Sequence, residues 1–131
     1  MGLVENPVML IIYVKEQKKS RDFYRSVLGE EPVLDVPGMT EFKINENVIL
    51  GLMPGDGIFK ILEEKMDNPN GLTNIPKCEI YLYVGDPASC YEKALNSGAR
   101  GISSLRLRNW GDVVAYCADF DGNVIAFASK G

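Results

Sequence analysis

The chain has 131 residues, of which 46% are hydrophobic and 24% charged, a balance that excludes a fibre or a disordered chain and fits one compact domain or two small halves. Lys and Arg total 14 against 18 Asp and Glu, a net charge of −4. A nucleic-acid footprint usually carries the opposite sign, so no nucleic-acid partner is expected. The count that excludes most is zero histidine, which removes Ser-His-Asp and Cys-His catalysis, an imidazole base and every histidine-ligated metal site.

No apolar run approaches the ~20 residues of a membrane helix, so no membrane partner is expected. The segment Met1–Pro7 lacks the basic and apolar regions of a signal peptide, and a cytoplasmic protein is expected. Cys78, Cys90 and Cys117 form no CxxC pair and read as reduced, structural thiols.

In chain order, Val8–Val14 is β-branched and aromatic, the pattern of a strand. Phe23, Tyr24, Val27 and Leu28 recur at helical spacing after Ser20, and Gly29 stops the helix. Strands are expected at Pro32–Val36, Glu41–Asn45 and Val48–Met53, with turns at Pro37-Gly38 and Asn45-Glu46-Asn47. From 54 to 77 the glycines, prolines and asparagines mark a connecting loop or lid, within which Ile58–Met66 has the pattern of a short amphipathic helix. A strand follows at Glu79–Val84. Asp86-Pro87 is a helix start, with Asp as N-cap and Pro in the first turn. Tyr91, Ala94 and Leu95 share one face of that helix, and Gly98 ends it. The last strands are Gly101–Leu107, Val113–Ala118 and Val124–Ala128, with a hairpin turn at Asp119-Phe-Asp-Gly122.

Both halves therefore read β-α-β-β-β. Tyr24–Leu28 (YRSVL) aligns with Tyr91–Leu95 (YEKAL), and Asn47–Leu50 (NVIL) with Asn123–Ala126 (NVIA). Two fused copies of one supersecondary unit are expected, about 7–54 and 78–129, in a single domain.

The helix sequence Asp22–Gly29 (DFYRSVLG) resembles the helix signature of the vicinal oxygen chelate superfamily, which includes glyoxalases, extradiol dioxygenases and bleomycin-resistance proteins. Asp119–Ala126 (DFDGNVIA) resembles that superfamily's closing D-P-D-G motif, with Phe120 where Pro is usual. The resemblance covers roughly residues 7 to 129. It implies an α+β fold of two tandem βαβββ modules whose curved mixed sheets enclose a cleft, often completed in a homodimer. Strand parity then turns Ile80, Leu82 and Val84 toward the helix and Glu79, Tyr81 and Tyr83 toward the cleft, with Met9, Ile11 and Tyr13 as counterparts.

The glyoxalase-type members hold a divalent metal with one side chain from the first and one from the last strand of each module. By the resemblance those positions fall on Met9, Leu50, Glu79 and Ala126. A thioether is a poor ligand for a hard ion, and Leu50 and Ala126 donate nothing, so neither metal nor other cofactor is expected. Glu79 either pairs with a cationic ligand or serves as a base with its pKa raised by burial. The plain alternative is a hydrogen bond to Tyr81, Tyr83 or Tyr116, or contact with water. Trp110 and the tyrosines Tyr81 and Tyr116 are placed as an aromatic lining for a flat or cationic ligand, against sheet packing or a dimer contact. Arg106 and Arg108 read as exposed charges, and Lys15, Lys18, Lys19, Arg21 and Arg25 as a solvated basic cluster. Cys117 reads as an unreactive buried thiol.

Three functions compete. The leading one is a metal-free protein binding a small molecule, aromatic or cationic, in a homodimeric cleft, with Glu79, Tyr81, Trp110, Tyr116, Met9, Leu50 and Ala126 as its ligand-facing set and no catalytic residue. The second is a lactoylglutathione-lyase-like enzyme: a metal-dependent lyase, isomerase or thiol transferase with non-standard ligands. The third is a non-catalytic interaction module whose cleft is filled by side chains.

Overall fold

A computed structural model of the chain describes residues 2–71 and 75–131. The chain divides into two compact units, Met1–Gly71 and Leu72–Gly131. Among the described residues no helix is long and apolar enough to cross a membrane.

In the first unit β1 (Val8–Val14) leads into α1 (Gln17–Leu28), followed by β2 (Leu34–Val36), β3 (Met39–Asn45) and β4 (Val48–Pro54). The sheet order is β1-β4-β3-β2, with β1 parallel to β4 and the other pairs antiparallel. This is the expected β-α-β-β-β order. Helix α1 buries Ser20, Phe23, Tyr24 and Val27 and ends at Gly29, whose backbone is left-handed. It packs against β3 and β4, over a core that includes Ile12, Val14, Phe42, Leu50 and Leu52.

The segment after β4 is not a free connection. Helix α2 (Gly55–Ile61) lies against β1 and β4, and a 3-10 turn at Pro69–Gly71 lies against α2 and β1. Asn68 Nδ2 donates to Asp56 Oδ1 at 2.8 Å and so ties the turn to the helix. The helix expected over Ile58–Met66 thus starts three residues earlier and stops sooner. Glu63 and Glu64, with φ of 56° and 58°, adopt the left-handed backbone that no α-helix continues through. Of the expected lid, residues 55–71 belong to the first unit, and Leu72, Thr73 and Asn74 lie outside the described residues.

The second unit repeats the plan with β5 (Glu79–Tyr83), α3 (Pro87–Asn96), β6 (Arg100–Leu107), β7 (Asp112–Ala118) and β8 (Val124–Lys130). Its sheet order is β5-β8-β7-β6, with β5 parallel to β8. Asp86 caps α3 by accepting from the Ser89 amide at 3.2 Å, and Pro87 occupies the first turn. The hairpin at 119–122 is fixed by the Asp119 carboxylate, which accepts from the amides of Asp121 and Asn123.

Helix α3 packs on β6, β7 and β8. A Cβ added at Gly101 would stand 2.8 Å from Tyr91 Oη, which marks the helix-covered face of that sheet. Gly101 pairs with Cys117, and Cys117 with Ile125. These therefore look toward α3, and Tyr116, Ala126 and Tyr81 look the other way.

Candidate functional site

The face of the second sheet turned away from α3 is built from alternate residues of three strands. Ala126 on β8 is flanked by Tyr81 on β5 and Tyr116 on β7, each directly opposite it. One step along, Ala128 is flanked by Tyr83 and Val114. Tyr81 and Tyr116 pack against Val114, Ala126 and Ala128, all three fully covered. The alanines leave room for the rings to lean over the sheet, where larger side chains would hold them off.

One carboxylate organises the rings. Asp112, buried at the start of β7, accepts hydrogen bonds from Tyr81 Oη and Tyr83 Oη, both at 2.7 Å. Trp110 Nε1 donates to Tyr81 Oη at 3.0 Å, and Lys130 Nζ to Tyr83 Oη at 3.2 Å. Lys130 also lies over the Tyr83 ring, 4.5 Å from its centroid. The Arg108–Asp112 turn that carries Trp110 depends on Gly111, whose φ of 99° side-chain-bearing residues rarely adopt.

The electrostatics follow from these contacts. Donation from Tyr81, then from Tyr83, holds the Asp112 carboxyl below its ordinary value, against the opposing effect of burial. Burial, with donation to Asp112, raises Tyr81. Burial also raises Tyr116, and the charge of Glu79 adds to the shift. Both tyrosines remain neutral phenols near pH 7, which suits them to offer ring faces rather than to remove protons.

The expected residues divide. Tyr81, Tyr116, Ala126 and Trp110 come together on one face, and Glu79 shares their strand parity. Glu79 is exposed, so the buried base does not stand. The tyrosine hydroxyls of β5 go to Asp112, which the sequence reading passed over. Arg108 is a correction as well. Its guanidinium turns in to the carbonyls of Val114 and Ser104 and to Ser103 Oγ, and lies 5.0 Å from the Tyr116 ring centroid. Arg106 stays exposed. Cys117 is fully buried and its thiol is pushed up to about 12, first by burial and then by Asp119.

Leu50 is the clearest correction. Met9 pairs with Ile49 and Ile11 with Gly51. A Cβ added at Gly51 would meet Ile11 Cγ1 and Met39 Sδ, each at 3.2 Å, and Met9 Cε at 3.5 Å. Gly51 therefore shares the face of Met9, and Leu50 points to the opposite face, into the core with Phe42. The sequence repeat runs one residue out of step with the strand pairing. It sets Met9 over Glu79 and Ile49 over Ile125, but β1 pairs Met9 with Ile49 whereas β5 pairs Glu79 with Val124. Gly51, not Leu50, is the counterpart of Ala126.

A metal set of Met9, Gly51, Glu79 and Ala126 offers one hard donor. These residues do not fit the divalent ion of the glyoxalase-type sites. Among the described residues no three His, Cys, Asp or Glu side chains gather as a metal site would need. A cavity of about 320 Å³ in the first unit is lined by Gln17, Lys18, Arg21 and Asp35, among others. Gln17 and Arg21 there are already bound, to Thr40 and Asp35 respectively.

Comparison with known proteins places these features in a family. The profile of the Glyoxalase/Bleomycin resistance protein/Dioxygenase superfamily matches residues 6–127. A glyoxalase-related enzyme from Fulvimarina pelagi superposes with a TM-score of 0.80 at 17% identity, over 97% of this chain and 89% of that one. A glyoxalase/bleomycin resistance protein/dioxygenase family enzyme from Burkholderia phytofirmans PsJN gives 0.79 at 13% identity, over 97% and 100%. A protein of unknown function from Agrobacterium tumefaciens gives 0.76 at 19% identity, over 100% and 97%. At these identities the likeness concerns the fold. No curated protein matches the chain.

Proposed function

The chain belongs to the glyoxalase/bleomycin resistance protein/dioxygenase superfamily, and on that premise we propose that it binds a small aromatic or cationic organic molecule, without a metal, on the face of its second sheet turned away from α3. The observation that carries this is the row Tyr81–Ala126–Tyr116, with Tyr81 held by Asp112 and Trp110. Tyr81, fixed by its hydroxyl end, presents its ring without the entropy cost of ordering it on binding. The lyase, isomerase or thiol-transferase reading needs hard donors that Met9, Gly51 and Ala126 do not supply.

Trp110 is the single tryptophan and is 55% exposed, so its fluorescence reports on this face. A screen of aromatic and cationic compounds by Trp110 emission and thermal midpoint tests the proposal. A ligand present at about 100 times its Kd adds about 2.7 kcal/mol. The expected outcome is stabilisation with altered emission, lost in Tyr81→Leu. A screen that leaves both signals unmoved contradicts it.

A second reading, a non-catalytic module, draws on Val114, Ala126 and Ala128 being fully covered. It predicts the same unmoved screen, with a protein partner captured instead. We also propose a homodimer. Its support is edge strand β1, on which Val8, Met9, Leu10 and Ile11 are all exposed in succession.

A further inference from the structure

Beyond the ligand face of the second sheet, we infer that the first sheet carries a site for a soft monovalent metal ion of the Cu(I) and Ag(I) class, held by the Met9 and Met39 thioethers with the Glu41 carboxylate as its charge partner. Met9 lies on β1, Met39 and Glu41 lie on β3, and β4 runs between them. Glu41 stands directly opposite Gly51 of β4 and shares its face. Gly51 has no side chain, and its neighbours lean over it. The position a Cβ would take there is 3.2 Å from Met39 Sδ and 3.5 Å from Met9 Cε. Two thioethers from strands on either side thus converge on one point beside a carboxylate. Ile11 Cγ1, also at 3.2 Å, gives that point an apolar surround.

These donors are reachable and uncommitted. Met9 is exposed, and Met39 and Glu41 are half-buried. Among the described residues the Glu41 carboxylate has no hydrogen bond or ion pair. Lys43, the one cation of β3, pairs with Glu46 at 3.6 Å. The donor chemistry selects the ion. A thioether is neutral and polarisable, so it competes poorly with water for Zn²⁺ or Ni²⁺ but binds Cu(I) and Ag(I). One carboxylate matches one positive charge and leaves the loaded site neutral, whereas a divalent ion would leave charge uncompensated among apolar side chains. The site differs from the glyoxalase-type one in the charge and softness of its ion, and all its donors come from one sheet.

The experiment titrates the full chain with Ag(I) in chloride-free buffer, its accessible thiols first capped with iodoacetamide, and follows the methionine ε-methyl carbons by NMR. The expected result is that the Met9 and Met39 methyls shift together and saturate at one Ag(I) per chain, while the methyl of Met66, equally exposed at 39%, stays in place. Zinc should move none of them. Met39→Leu, which keeps the volume and so the fold, should abolish saturable binding, and Glu41→Gln should weaken it about tenfold. The dispersion of the same spectra shows whether each variant is folded, and the comparison of Met9 and Met39 with Met66 needs no variant. A Met66 methyl that shifts over the same range as Met9 and Met39 overturns the inference, because exposed thioethers then bind silver without a site. Unmoved methyls, or a titration unchanged in Met39→Leu, overturn it as well.

Discussion

Asp112 and Cys117 make the two sharpest residue-scale predictions. Asp112 is ionised more readily in the fold than in the open chain. Its contribution to stability is therefore present above the ordinary carboxylate value of about 4 and is lost as pH falls through the lower folded value. Denaturation midpoints followed from neutral into acid should fall in that range, and Asp112→Asn should flatten this part of the profile while lowering the midpoint at neutral pH. A variant profile identical in shape to the parent's would refute the role. Cys117, with its thiol pushed up to about 12, should resist a thiol reagent at neutral pH and react only on unfolding. Mass spectrometry of the labelled peptide decides this. That Cys117 is buried was legible from its place in an apolar strand without cationic neighbours. Asp112 was not, because its partners lie 31 and 29 residues away and meet it only through the β5-β8-β7 register. The one available signal was two tyrosines of equal parity, Tyr81 and Tyr83, whose hydroxyls on a half-buried face require an acceptor.

The elements themselves were legible to within a few residues. β-branched runs, the Asp86-Pro87 helix start and the Gly29 stop act locally, and local chemistry is written in the sequence. What escaped was register. The repeat NVIL against NVIA runs one residue out of step with the pairing of β1 on β4 and of β5 on β8, and no residue type announces the offset, so it aligned Leu50 with Ala126. The consequence is measurable. Leu50 is fully buried, so Leu50→Ala should cost about 2–5 kcal/mol in a urea titration. Met9→Ala, on a side chain 40% exposed, should cost much less. Equal costs would contradict the register. The 55–71 segment escaped for a related reason. Its pattern showed an amphipathic helix but not which strands that helix would lie on, and Glu63 and Glu64 carry no mark of a left-handed backbone. At the same scale, Asp86→Ala should remove the α3 cap at a cost of about 1 kcal/mol, read from the same titration.

For the whole molecule, the repeated β-α-β-β-β order and two motifs were enough to place the chain in its superfamily, because a duplicated unit states its topology twice. The function was less legible. By resemblance to the glyoxalase-type members the metal chemistry would fall on four side chains, and here three of those positions lack a hard donor, so the fold alone does not say what occupies a site. The proposed homodimer should give a mass of twice 14.5 kDa by light scattering, and Ile11→Lys on the β1 edge should return it to one chain. A single-chain mass for the unaltered protein would remove the dimer from the account. The central claim, metal-free binding, is tested most directly by plasma mass spectrometry of the tag-free protein after exposure to zinc, nickel and iron and removal of the excess. The account predicts metal far below one ion per chain. A stoichiometric divalent metal that persists in the parent and disappears in Glu79→Gln would contradict it.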